Sequence, residues 1–204
     1  MTEDPVAICK AAGAAAKERY AGKDVAGMLA LAEAGFARAL ADAAAHPDRA
    51  AELRRAAKAL AYNAAANCWP GWGDEGIEID AASLARGIVL AEGSRALVVE
   101  LGADAQETGR ADWLLGALWM AAGQNAAALD AFAQARAAFQ ASNVPTQALM
   151  AEGYHALARK RADPQDRAVS AEFADCCARL AETGSKEATF FRQQLLTAAR
   201  IFTP

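Results

Sequence analysis

Residues 67–80 (NCWPGWGDEGIEID), here called the Trp loop, contain two of the four tryptophans of this 204-residue chain together with four carboxylates, those of Asp74, Glu75, Glu78 and Asp80. Carboxylate oxygens bind hard cations such as Ca²⁺. The spacing of these four acids, however, matches no calcium-binding loop, and two carboxylates on a solvated loop hold a cation weakly. We therefore expect no metal site in this stretch.

Two interpretations of the Trp loop remain open. Its glycines and its proline explain an ordered turn in place of a helix, and Trp69 and Trp72 can fill a core that is short of bulky side chains. Alternatively, the loop forms one wall of a binding site, because loops on a rigid scaffold often carry binding residues and Trp is common at interface hot spots. Asn63 and Asn67, one turn apart just upstream, are either a polar pair facing a groove or a cap for the loop. A small-ligand-binding or catalytic site at residues 69–80 is therefore the alternative function.

Other reactive groups do not form a recognisable constellation. His46 and His155 have no sequence partner that suggests catalysis, and the chain has no Gly-rich phosphate loop, no GxSxG and no HExxH motif. The cysteines form no CxxC pair, so they predict free, buried thiols in a reducing compartment: Cys9, Cys68, Cys176 and Cys177. We expect a protein that is not an enzyme and that uses no cofactor.

Composition and charge narrow the possible partners and the location. Alanine, the best helix former, supplies more than a quarter of the residues, while aromatic residues supply 7%. A net charge of −4 opposes binding to nucleic acid or to anionic membranes. The N-terminus lacks the pattern of a secretory signal, and no apolar run approaches the ~18 residues of a membrane span. We expect a cytoplasmic, all-α protein.

Residues typical of helix starts and helix ends divide the sequence into nine predicted helices. Their approximate ranges are 4–21, 24–45, 47–68, 80–102, 109–122, 124–142, 145–161, 164–182 and 185–202. Prolines suited to the first helical position mark four starts: Pro5, Pro47, Pro145 and Pro164. Short polar side chains predict three N-caps, at Asp80, Thr108 and Ser185. Glycines predict helix ends at Gly22, Gly102, Gly123 and Gly184.

The stretch Asp112–Phe139 resembles the tetratricopeptide repeat (TPR), a helix-turn-helix unit with small and aromatic residues at fixed spacing. The residues that carry the resemblance are Leu115, Gly116, Trp119, Gly123, Ala128, Phe132 and Ala135. Gly116 and Ala128 would lie where the two helices cross. The chain departs from the repeat at its first aromatic position, where Asp112 stands and Trp113 follows one place late. The resemblance implies one TPR-like domain over residues 1–204, a right-handed array of antiparallel helical hairpins.

TPR-like proteins bind proteins or peptides along a concave groove that the first helix of each hairpin lines. The resemblance therefore implies an interaction module or a self-associating scaffold whose partner is a protein, a peptide or a second copy of the chain. We expect Trp113 to leave the core and point toward this groove. The predicted partner-binding residues are Arg110, Trp113, Met120, Gln147, Met150 and Tyr154 from the hairpins, with Trp69 and Trp72 from the Trp loop.

Overall fold

The computed structural model describes residues 4–203, and this part of the chain is all-α, as the composition predicts. The described residues form nine α-helices. Two 3-10 turns, Pro47–Arg49 and Pro70–Trp72, lie between helices. The helices are α1 (Pro5–Ala21), α2 (Val25–Ala45), α3 (Ala50–Ala66), α4 (Ala81–Glu100), α5 (Ala105–Ala121), α6 (Asn125–Ala141), α7 (Pro145–Ala162), α8 (Arg167–Thr183) and α9 (Lys186–Phe202). None of the helices between residues 4 and 203 is long and apolar enough to cross a membrane.

The helices form two compact units. The N-terminal unit contains α1 to α4, extends to Trp69 and includes Gly76–Ala103. The C-terminal unit contains α5 to α9, with Pro70–Glu75 of the Trp loop and the chain from Asp104 onward. Within each unit every helix packs against its neighbour in sequence, and α1 also packs against α3, as α7 does against α9. This is the contact pattern of stacked hairpins. The prediction of one domain over residues 1–204 stays a prediction.

Short turns with one left-handed residue connect several of the helices. Gly102, Gly123 and Gly184 have φ of 59°, 78° and 67° and end α4, α5 and α8, which confirms the predicted ends. Gly22 is the C-cap of α1, which confirms that end too, but its φ is −80° and the left-handed residue after α1 is Lys23, with φ of 64°. The amide of Lys23 donates to the carbonyl of Tyr20 at 2.8 Å. The turn therefore closes around a lysine in place of a glycine.

Side-chain caps decide where the helices begin. Asp80 accepts a hydrogen bond from the amide of Ser83 at 2.7 Å, and Ser185 caps α9, both as predicted. The prediction of Thr108 as a cap is wrong, because α5 begins one turn earlier. Asp104 is its N-cap, accepting from the amide of Glu107 at 2.8 Å. Two acceptor oxygens on an aspartate satisfy the first-turn amides at least as well as one threonine hydroxyl.

Two of the four helix starts predicted from prolines lie three residues later in the chain than predicted. Pro5 and Pro145 begin α1 and α7 as predicted. Pro47 begins the 3-10 turn Pro47–Arg49, and α3 follows from Ala50. Pro164 lies in a turn, and α8 begins at Arg167 because Asp166 accepts hydrogen bonds from two first-turn amides. A fixed proline φ is compatible with turns as well as helices, so the better cap determines the start.

Glycines allow close approach where helices cross. A Cβ placed on Gly116 would lie 2.8 Å from the ring of Phe132, which confirms that α5 and α6 cross at this glycine. Ala128, on the facing helix, is fully buried, whereas Trp119 is only partly buried. The same device recurs in the N-terminal unit, where a Cβ on Gly35 would lie 2.8 Å from Leu60. Within each unit, such contacts let helix backbones pack closely without many large side chains.

Candidate functional site

Most of the predicted partner-binding residues lie in the interior. Arg110 is exposed and Trp72 is partly buried. The other six are buried: Trp69, Trp113, Met120, Gln147, Met150 and Tyr154. The expected geometry, in which Trp113, Met120 and Tyr154 line an open groove, is wrong, because these side chains are exposed by 6%, 0% and 0%. The partner-binding role of this set stays a prediction, and another segment of the chain covers Trp113.

That covering segment is part of the Trp loop. The ring of Trp72 lies 6.2 Å from that of Trp113 on α5, measured between centroids. Trp113 in turn meets Tyr154 on α7 edge-on at 5.6 Å, and Tyr154 stacks on Phe132 of α6 at 5.6 Å. These four side chains form a continuous aromatic row within the C-terminal unit. The 3-10 turn Pro70–Trp72 therefore fills the face that the resemblance assigned to a partner, which supports the structural interpretation of this part of the loop.

Gln147 has a similarly internal role. Its side-chain amide donates to a carboxylate oxygen of Glu187 on α9 at 3.1 Å, and its side-chain carbonyl accepts from Gln106 on α5 at 3.2 Å. These three residues lie in the first turns of α5, α7 and α9. A buried amide that is bonded on both sides fixes the alignment of the helices around it. Gln147 thus aligns three alternate helices of the C-terminal unit.

The carboxylates of the Trp loop are exposed, and one of them caps a helix. Asp74, Glu75 and Glu78 are exposed, and Asp80 is used as the cap of α4. The hydrogen bond from the backbone of Ser83 lowers the pKa of Asp80 below its ordinary value. Between residues 4 and 203 no group of three or more His, Cys, Asp or Glu side chains is arranged to hold a metal ion.

A groove between α1 and α3, here called the α1/α3 groove, is an open concave surface of the N-terminal unit. It encloses about 760 Å³. Small and aliphatic side chains from three helices form its floor: Gly13, Ala16, Met28, Leu60 and Ala64. Met28 is fully buried beneath it, and Leu60 is nearly so. The floor is therefore a fixed apolar surface supported by α2.

Polar side chains stand at the edges of the α1/α3 groove. Lys10, Lys17 and Tyr20 contribute from α1, and Asn63 and Asn67 contribute from α3. Both interpretations of the asparagines fit in part, because both residues line this groove and Asn67 also occupies the C-cap position of α3. Lys10, Gly13, Lys17 and Tyr20 follow steps of three, four and three residues, so they share one face of α1. This periodicity is visible in the sequence, but it does not say whether that face is covered.

The α1/α3 groove combines an apolar floor with polar and cationic edges. The lining side chains that the structure describes include no Asp, Glu or His. Cys9 lines the groove but is 3% exposed, and burial raises the pKa of its thiol, which keeps it protonated and poorly nucleophilic. What the surface does offer is apolar contact on the floor, hydrogen-bonding amides on one edge and two ammonium groups on the other.

Comparison of the chain with protein-family models, with curated proteins and with solved structures finds no match. Function is therefore inferred from the geometry of the α1/α3 groove and from the sequence resemblance.

Proposed function

We propose that the protein is an interaction module and that the α1/α3 groove holds a segment of its protein or peptide partner. The observation that carries this proposal is the open groove of about 760 Å³ with its apolar floor and polar edges. α1 and α3 are the first helices of two successive hairpins, where the TPR-like resemblance implies that a partner binds. The TPR-like assignment is part of the proposal, and the Gly116–Phe132 crossing supports it.

The edges and the floor contribute differently to binding. Glycine and alanine on the floor let the backbone of a partner approach closely, and burying apolar area yields about 25 cal/mol per Å². The side-chain amides of Asn63 and Asn67 each offer two donors and an acceptor. Such groups can satisfy the polar backbone of a peptide, which otherwise loses its hydrogen bonds to water when it binds.

The proposal is tested by selecting, from a displayed random library, peptides that bind the full-length protein. Ala14 and Ala11 are both exposed alanines of α1. Of these two residues, Ala14 is one of the described residues that line the groove, and Ala11 is not. We expect Ala14→Trp to abolish binding of the selected peptides and Ala11→Trp to leave it unchanged. Equal binding to both variants, or failure to select any peptide above background, would contradict the proposed site.

The competing function is the binding of a small molecule. The volume of the α1/α3 groove lies in the range of ligand pockets, and Asn63 and Asn67 are at its edge. A thermal-shift screen distinguishes the two functions. A compound that raises the melting temperature of the wild type and of Ala11→Trp, but not of Ala14→Trp, would favour the small-ligand function over the peptide function.

Self-association and location are separate parts of the proposal. A scaffold that pairs with a second copy of itself would elute as a dimer in size-exclusion chromatography with light scattering, and Ala14→Trp would convert it to a monomer if the same groove were used. A cytoplasmic location is supported by the four cysteines, which are free and buried in the structure. Free thiols persist where glutathione keeps them reduced.

A further inference from the structure

We infer that the segment bound in the α1/α3 groove is an amphipathic helix with acidic side chains along one edge. This inference rests on the proposed function and specifies its partner. Lys10 and Lys17 carry it. Both are exposed lining residues of the groove, and neither takes part in any of the ion pairs between described residues.

The charge of this edge contrasts with that of the protein. The chain as a whole has a net charge of −4. Lys10 contributes to lowering the pKa of Asp4, but the carboxylate of Asp4 is already bound to Arg49 at 2.7 Å. The opposite edge, formed by Asn63 and Asn67, is neutral. An occupant with carboxylates on one edge and neutral polar groups on the other would therefore complement the groove.

The spacing of the lysines favours a helical occupant. Lys10 and Lys17 are seven residues apart on α1, which separates their Cα atoms by about 10 Å along the helix axis. A second helix laid alongside presents residues seven apart on one face at the same separation. In a β-strand, residues on one face are two or four apart, at about 7 or about 13 Å, so a strand matches the spacing of about 10 Å less closely than a helix does.

The floor has the form that helix packing needs. Within both units the close helix contacts use a glycine or an alanine opposite a larger side chain, as at Gly35 and Leu60 or at Gly116 and Phe132. The floor of the α1/α3 groove offers Gly13 on one side and Ala64 on the other. A Cβ on Gly13 would meet Leu60 at an ordinary 3.5 Å, so space remains above this position for the ridge of an incoming helix.

The inference is tested with a displayed library of alanine-based helices that are randomised at outward positions. Helices that bind the full-length protein are selected from this library. We expect pools selected on the wild type to be enriched in Asp or Glu pairs seven positions apart. The enrichment should disappear on the double variant Lys10→Gln, Lys17→Gln. It should persist on the control Arg167→Gln, Lys186→Gln, which removes the same charge from exposed positions at the starts of α8 and α9.

The most enriched helix then serves as a probe in fluorescence anisotropy. Replacing its two acids with glutamine should weaken binding about four-fold, since each of the two exposed ion pairs changes affinity about two-fold. A central proline should abolish binding, and salt near 1 M, where the Debye length is about 3 Å, should remove the roughly four-fold preference for the acidic helix.

The outcomes separate the two proposals. Selected helices without acidic enrichment, or with equal affinity for wild type and the double lysine variant, would overturn the acidic-helix inference while leaving the groove as a binding site. Selected peptides that bind only in an extended form, insensitive to the central proline, would overturn its helical part. If Ala14→Trp did not reduce binding of the selected peptides, the proposed function itself would be refuted.

Discussion

The replacement of Gly116 by alanine gives a sharp test of how α5 and α6 pack. The added Cβ would lie 2.8 Å from both Cδ1 and Cε1 of Phe132, closer than carbon atoms approach without displacement. Phe132 has no room to retreat, because it is 0% exposed and stacks on Tyr154 at 5.6 Å. Overpacking of this kind costs about 2 kcal/mol, and alanine recovers about 1 kcal/mol of helix propensity. We therefore expect a net loss of about 1 kcal/mol in the free energy of unfolding.

Gly13→Ala is the matched control. Its Cβ would lie 3.5 Å from Leu60, an ordinary contact, so only the propensity gain applies and the variant should be about 1 kcal/mol more stable than the wild type. The assay is urea unfolding followed by far-ultraviolet circular dichroism and by tryptophan fluorescence. Three of the four tryptophans, those at 72, 113 and 119, belong to the C-terminal unit, so fluorescence reports mainly on the unit that contains Gly116.

A double-mutant cycle with Phe132→Leu isolates the contact itself. Leucine is smaller than phenylalanine and leaves space for the new methyl group, so the cost of Gly116→Ala should vanish or reverse in the Phe132→Leu background, with a coupling of about 2 kcal/mol. The reasoning would be refuted if Gly116→Ala stabilised the wild-type protein as much as Gly13→Ala does. Additive effects of the two substitutions would refute it as well.

Three further predictions concern a cap, an ion pair and the thiols. Asp104→Ala should destabilise the protein by about 1 kcal/mol, because Asp104 caps α5, whereas Thr108→Ala should change stability by less than about 0.5 kcal/mol; urea midpoints measure both. The side-chain hydrogen bond from Arg86 lowers the pKa of Glu33, so this pair stabilises the protein above the ordinary glutamate pKa and loses its effect as the pH falls below about 4. Glu33→Gln should therefore cost about 0.5 kcal/mol at neutral pH, a small value because the pair is partly exposed, and the cost should decrease as the pH falls below about 4; a cost that does not change with pH would contradict this. Burial raises the pKa of Cys68 to about 12, and all four thiols are buried, so a thiol reagent should modify them only after unfolding, as absorbance against time would show.

The helices and most of their ends follow from the sequence. Caps, left-handed turn residues and alanine content act over a few neighbouring residues, so Asp80, Ser185 and Gly123 could be assigned without knowledge of the fold. The errors have the same local origin, because at α5 two candidate caps lie one turn apart and the stronger one, Asp104, prevails. The crossing at Gly116 was also predictable, since both of its helices belong to one hairpin with a single short turn.

Only the tertiary structure decided which helix faces are covered. Trp113 lies on an apolar face that periodicity alone would leave open, but Trp72, from a segment far earlier in the chain, packs beside it. The face of α1 that carries Lys10 and Lys17 has the same kind of periodicity, yet it borders an open groove. A helical pattern records which residues share a face, because it depends on bonds within one helix. Whether another segment covers that face depends on contacts between residues distant in sequence, which no local pattern encodes.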